Sequence, residues 1–208
     1  MNPTLPLLIV ISAPSGGGKT TLCDQLLAKH TNITRAVTCT TRSPRPGEQP
    51  GVDYHFLSRD AFLEKVQAGE FLEHATVYQH FYGTLNSEVL ATLQTGRHVL
   101  LNIDVQGAEA VRQAARSQPL LSSRLISVFL TPPSAQELER RLVARKSETL
   151  ESLRLRLNQA AIEVAEWSKF DYLIISTTIQ EDLRRMEVII EAELLRQQRS
   201  RAPFVQLR

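Results

Sequence analysis

The alternation of apolar and polar positions divides this chain into short buried runs and amphipathic stretches. Leu7 to Ile11 is a continuous run of leucine and β-branched residues, with Pro6 before it and a turn sequence after it. That is the pattern of a strand covered on both faces in a parallel sheet. Runs of the same kind recur at Val99–Ile103, Leu125–Leu130 and Tyr172–Ile175. Between and after them the apolar positions step by three and four, which predicts helices over Thr20–His30, Gly107–Arg116, Ser134–Arg145 and Gln180–Arg199. Ser134 followed by Glu137, directly after Pro132 and Pro133, is a capping-box signature for a helix start. Buried strands alternating with helices predict an α/β fold with a parallel sheet flanked by helices.

Two stretches interrupt that alternation. From Thr34 to about Glu88 the chain reads as short strands and turns around Pro44, Pro46, Gly47, Pro50 and Gly51, with one helical piece at Arg59–Ala68. It is expected to stand beside the core as an insertion. From Arg141 to Trp167 the positions Leu150, Leu153, Leu157, Ala160, Val164 and Trp167 predict one long amphipathic helix after the charged turn Ala144–Glu148, a candidate cover for a site. The basic tail Arg196–Arg208 is expected to be a solvated end.

Composition narrows the class. At 208 residues, with 42% hydrophobic and 22% charged positions, the chain suits one soluble globular domain. Its net charge of +2 is small for a protein that wraps nucleic acid. The 24 cations divide into 19 Arg and 5 Lys, and a planar guanidinium suits phosphate better than an ammonium does. Leu7–Ile11 is too short for a membrane span or a signal-peptide core, so a cytoplasmic location with no membrane partner is expected. Cys23 and Cys39 have no metal-ligand spacing and are expected to stay reduced, Cys23 as a packing residue and Cys39 either packed or lining a pocket.

The chemistry concentrates at Ala13-Pro14-Ser15-Gly16-Gly17-Gly18-Lys19-Thr20. This segment follows a predicted strand and opens a predicted helix, the context that a P-loop requires. Consecutive glycines let successive backbone N–H groups converge on phosphate oxygens at the positive end of a helix. Lys19 is then placed for the β- and γ-phosphates of a nucleoside triphosphate and the Thr20 hydroxyl for Mg²⁺, with Thr21 ending the ATP-binding run. Ala13 replaces the first glycine of the pattern. A second phosphate site is offered by Arg42 and Arg45, three residues apart around Pro44, with Tyr54 nearby; a solvated basic turn is the alternative reading.

Taken together, Ala13–Thr20, Thr40-Thr-Arg-Ser-Pro-Arg-Pro-Gly-Glu48, Phe71-Leu-Glu-His74, Phe81-Tyr-Gly-Thr84, Asn102-Ile-Asp-Val-Gln-Gly107 and Leu130-Thr-Pro-Pro-Ser134 resemble the successive motifs of the guanylate kinases. The resemblance implies ATP-dependent phosphorylation of GMP, with Mg²⁺, by a P-loop core carrying a GMP-binding insertion and a helical lid. It implies a domain over 6–187, with core 6–33 and 90–187, insertion 34–89 and lid about 140–157, followed by a helix end and tail at 188–208. It assigns Glu73 to the guanine base, Thr38 and Thr84 to holding the nucleotide, and Arg42, Arg45, Tyr54 and Tyr82 to the GMP phosphate. Asp104 is assigned to the acceptor nucleotide, and Lys19, Arg42, Arg145 and Arg156 to the transferring phosphoryl. The implied partners are the two nucleotides, with no nucleic acid, and a monomer or homodimer. Three positions depart from the family: Asn102 where an acidic residue is usual, Ala144-Arg-Lys-Ser in the lid, and Ser176-Thr-Thr178 where an Asn-Asp-Asp stretch meets adenine. The other readings of the same P-loop are a sugar-phosphate kinase and a non-enzymatic guanylate-kinase-like interaction module.

Overall fold

Each of the four apolar runs forms a strand within one residue of its predicted limits. The computed structural model describes residues 5–77, 79–143 and 150–199. In chain order these form β1 (Leu8–Ser12), α1 (Lys19–Lys29), β2 (Ile33–Arg35), β3 (Thr38–Thr40), β4 (Tyr54–Phe56), α2 (Arg59–Gln67), β5 (Phe71–Val77) and β6 (His80–Leu85). There follow α3 (Asn86–Gln94), β7 (His98–Asn102), α4 (Val105–Ser117), α5 (Pro119–Ser122), β8 (Leu125–Thr131), α6 (Ala135–Val143), α7 (Leu150–Ala165), β9 (Tyr172–Ile175) and α8 (Ile179–Leu194).

β1 lies at the centre of a five-stranded sheet of order β2-β7-β1-β8-β9, and every pairing in it is parallel. All five β1 residues are buried, because both faces are covered. One face carries Leu22, Cys23 and Leu26 of α1 and Met186 of α8; the other carries Val89 and Leu93 of α3 and Ala108, Val111 and Ala115 of α4. Both cysteines are fully buried free thiols. Burial pushes the Cys23 thiol up to about 12 and the Cys39 thiol up to about 11, so both are inert packing groups.

The interrupting segment contains a second sheet of order β4-β3-β6-β5, with β3 parallel to β4 and antiparallel to β6. The second sheet starts at Thr38, because Ile33–Arg35 pairs with β7 as the edge of the main sheet. α3 was not anticipated; its apolar positions Val89, Leu90 and Leu93 pack against the main sheet.

The helix ends also differ from expectation. Ser134 Oγ accepts the Glu137 N–H at 3.2 Å, but the Glu137 carboxylate turns to Arg140 and Arg141 rather than back to the cap. The long helix expected after the charged turn is α7, Leu150–Ala165; it stops two residues short of Trp167, where Trp167–Lys169 forms a 3₁₀ turn. α8 stops at Leu194, and Gln197–Arg199 turns back on the body. There Arg199, expected in solvent, is 5% exposed. Its guanidinium donates to the carbonyls of Ser123 and Leu125 and pairs with the buried Glu193.

Candidate active site

The loop after β1 curls because its residues permit it. Gly16 has φ +85° and Gly18, which caps α1, has φ +96°, both in the left-handed region that glycine alone adopts without strain. Gly17 is required for space: a Cβ there would lie 2.9 Å from the Ala13 methyl and 2.9 Å from the Pro14 carbonyl. The Gly17 N–H donates to that same carbonyl at 2.8 Å. Ala13, in place of glycine, is itself buried and forms the wall that Gly17 meets. Lys19 opens α1 and donates from Nζ to the Ile103 carbonyl at 2.7 Å. Burial lowers the Lys19 pKa, opposed by Cys23, Asp104, Glu163 and Glu73. Thr20 and Thr21 are exposed at the start of the helix.

A cleft of about 920 Å³ separates this loop from the second sheet, lined by Ser15 and Lys19 on one wall and by Thr38, Tyr54, Glu73 and Tyr82 on the other. Asn102, Asp104, Arg156, Gln159 and Glu163 also line it. It lies at the carboxyl ends of β1 and β7, where open α/β sheets take their ligands.

Glu73 owes its place to a bulge. Phe71 pairs with Leu85, but Glu73 pairs with Thr84, so Leu72 is the extra residue on β5 and both Leu72 and Glu73 are buried. The bulge re-aims the carboxylate into the cleft. The Thr84 hydroxyl donates to Glu73 Oε1 at 2.7 Å, and Oε2 lies 3.0 Å from where a Cβ on Gly107 would stand. Glycine at 107 therefore admits the carboxylate to the first turn of α4. Burial pushes the Glu73 carboxyl up to about 7, against the Thr84 hydrogen bond and with the help of Asp104. Asp104 also caps α4, accepting the Gly107 N–H at 2.8 Å.

Arg42 and Arg45 are not among the residues lining the cleft. Arg42 is folded onto Glu48 through two contacts of 2.7 and 2.9 Å and lies over the Tyr54 ring at 5.4 Å. Arg45 is exposed, and its N–H donates to the same Glu48 carboxylate at 2.8 Å. Arg145, like the rest of the Ala144–Glu148 turn, lies outside the described residues.

Residues 6–193 match the guanylate kinase family. The guanylate kinase of Paramagnetospirillum magneticum is 42% identical over 205 residues, which are 96% of this chain and 93% of that protein. A Clostridium perfringens guanylate kinase is 42% identical over 190 residues, covering 91% and 85%. The chain belongs to the guanylate kinase family. The crystal structure of a guanylate kinase from Anaplasma phagocytophilum superposes with a TM-score of 0.75 at 32% identity, covering 96% of this chain and 92% of the other.

Arg141, which the family resemblance matches to a lid-flanking arginine, and the departing Ser176–Thr178 stretch meet beside the P-loop. Arg141 Nη1 donates to Ser176 Oγ at 3.1 Å, and its guanidinium lies 3.8 Å from where a Cβ on Gly18 would stand. Ser176 in turn donates to the buried Asp182 at 2.7 Å, and Thr178 caps α8. The departing Ser176–Thr178 stretch thus links the start of α1 to a carboxylate on α8. Glu163 of α7 also reaches the P-loop. Its signal in the sequence was faint: a carboxylate seven residues after Arg156 and three after Ala160, beside the apolar stripe of α7.

Proposed function

We propose that this chain transfers the γ-phosphoryl group of ATP to GMP, giving ADP and GDP. The observation that carries the reading is a buried carboxylate, Glu73, facing a glycine cradle with its lysine across one cleft. Guanine offers two adjacent donors, its ring N1–H and its exocyclic amine, which one carboxylate accepts together; adenine has no N1–H. A site built on that pair rejects the wrong base because Glu73 would be left buried and unpaired.

Thr38 and Thr84 support the acceptor side, Thr84 by orienting Glu73. Arg42, Arg45, Tyr54 and Tyr82 grip the GMP phosphate, which requires Arg42 to exchange Glu48 for the nucleotide. The P-loop residues 13–21 hold the donor, with Lys19 leaving the Ile103 carbonyl for the phosphates. An oxygen of the GMP phosphate attacks the γ-phosphorus in line, and the bond to the β–γ bridging oxygen breaks, so the electron pair leaves with ADP. The attacking oxygen is already ionised and needs no general base. Lys19, Arg145 and Arg156 stabilise the charge on the transferring group, and Asp104 contacts the acceptor nucleotide. One hydroxyl, Thr20, with Asp104 and Asn102 lining the cleft, fits a Mg²⁺ ion carried in by nucleotide phosphates better than an all-protein cage. When bound, that ion neutralises the phosphates. The segment 34–89 serves as the GMP-binding unit and residues about 140–157 as the lid. No helix among the described residues is long and apolar enough to cross a membrane. The family reading carries with it a cytoplasmic enzyme acting as a monomer or homodimer.

A coupled assay offering GMP, AMP, CMP and UMP with Mg-ATP tests this. GMP should exceed AMP in kcat/KM by about 10³ or more. Equal turnover of AMP and GMP would overturn the assignment of Glu73.

A further inference from the structure

α7 carries a carboxylate to the phosphate cradle. The Ser15 backbone N–H donates to Glu163 Oε2 at 3.0 Å, a contact between residues 148 apart. Gln159 Nε2, one turn earlier, approaches the other oxygen at 3.5 Å. Glu163 is 9% exposed and supports the charge of Lys19, as Asp104 and Glu73 do. A carboxylate this deeply buried needs compensation, and here one P-loop N–H and the P-loop lysine supply it. Those groups border the space that a triphosphate would fill. The ligand-free protein therefore already holds an anion at its P-loop, and that anion is its own.

We infer that Glu163 is a positioning residue that stands in for a nucleotide phosphate and is displaced when the donor enters, coupling donor binding to the placement of α7. This rests on the P-loop being the donor site. A triphosphate and a carboxylate beside the same lysine repel each other, and one ammonium cannot neutralise both.

Among the described residues, two contacts fasten α7 to the loop. The first is apolar: Gly16 packs on Leu138 and Leu142 of α6, at 2.9 to 3.3 Å from its Cβ position, and those leucines pack on Leu153, Leu157 and Ala160 of α7. The second is the Ser15–Glu163 hydrogen bond. Donor entry breaks only the second, leaving α7 to pivot on its leucines. Arg156 lies seven residues before Glu163, about 10 Å along the helix, and also lines the cleft, so the pivot moves a cation over the reacting groups.

Glu163→Gln separates charge from tether, because the carboxamide keeps its size and an acceptor for the Ser15 N–H. Calorimetry with Mg-ADP should show about fivefold tighter binding to this variant. The KM for ATP should fall to match, with the KM for GMP unchanged. A lesion that merely loosened the fold would weaken binding, so the direction is diagnostic. Glu163→Ala, which loses charge and tether together, should also bind Mg-ADP more tightly. Unchanged or weaker Mg-ADP binding in either variant, at wild-type melting temperature, overturns the inference. Failure of the wild-type protein to bind Mg-ADP would instead overturn the donor-site reading.

Discussion

Glu73 links substrate choice to pH, and the size of the effect follows from its burial. In the unfolded chain its carboxyl titrates near 4.5, and in the folded protein at about 7. The folded state holds the extra proton, so its stability is undiminished below pH 4.5, falls as pH rises from 4.5 to 7, and stays lower above that. The cost above pH 7 is on the order of 3 kcal/mol. On the proposed reading guanine recovers it by giving the ionised carboxylate two N–H donors. Capture of GMP should therefore weaken by about tenfold per pH unit below 7 and level off above it, read as kcat/KM from pH 5.5 to 8.5. Glu73→Gln keeps the Thr84 contact but faces one guanine donor with an amide N–H₂. It should lose roughly 3–4 kcal/mol of transition-state binding, or about 10²–10³ in kcat/KM. It should also lose the step near pH 7 and, without GMP, melt several degrees higher than the wild type at pH 8. Ionisation of the GMP phosphate itself is common to both proteins and cancels in the comparison. Thr84→Val removes the hydrogen bond that holds the Glu73 pKa down, so its step should move to higher pH. A wild-type profile flat between pH 6 and 8, or a step that survives in Glu73→Gln, would refute the reasoning.

Two further outcomes test the framework around the site. Gly17→Ala places a methyl 2.9 Å from both the Ala13 methyl and the Pro14 carbonyl. The loop must open, so kcat/KM for ATP should fall by about a hundredfold with a stability loss of roughly 1–3 kcal/mol in urea denaturation. Arg199→Met takes from the buried Glu193 carboxylate its buried cation, leaving the exposed Arg196 at 3.4 Å and the Tyr172 hydroxyl beside it, and should cost about 3 kcal/mol in the same denaturation experiment. Activity per folded molecule should not change, because Arg199 lies among α8, β8 and the start of β1, away from the cleft.

The P-loop could be read from the chain because its chemistry is contiguous. The residues that set its φ angles, its phosphate donors and its helix start are neighbours in sequence, and each implies the next. Glu73 is a different case. As a sequence feature it is one carboxylate among 22 acidic residues, and only the resemblance singled it out. What places it in the cleft is a bulge at Leu72, a register that sets Thr84 beside it and a glycine at 107 that yields room, three features separated by up to 35 residues along the chain. No local pattern encodes that combination. The same holds for α3, whose short apolar stripe of Val89, Leu90 and Leu93 straddles the expected end of the interrupting segment, although its partners lie on the main sheet.

Arginine shows how far composition can mislead in both directions. The excess of Arg over Lys suggested phosphate contacts, yet part of it serves helix surfaces. Glu137 is gripped by Arg140 and Arg141, and Glu181 by Arg184 and Arg185, which holds each carboxyl down near 2. These pairs recur as Glu-x-x-Arg-Arg, a spacing that brings both guanidiniums onto one carboxylate across a single turn. Conversely Arg199, in a tail that reads as solvated, satisfies two carbonyls and a buried carboxylate with one planar fork. A lysine, with three donors on one nitrogen, cannot span carbonyls on separate segments in that way. Whether an arginine grips a nucleotide, a helix or the core is decided by which acceptors the fold brings within reach. At Arg42 the acceptor is Glu48, three residues beyond Arg45, so the phosphate grip expected of this pair is held closed by the chain's own carboxylate. Glu163 does the same at Ser15. On the proposed reading each phosphate grip is held by an internal acid, Glu48 on Arg42 outside the cleft lining and Glu163 on Ser15 within it, and nucleotide binding is an exchange of anions rather than the filling of an empty cationic site.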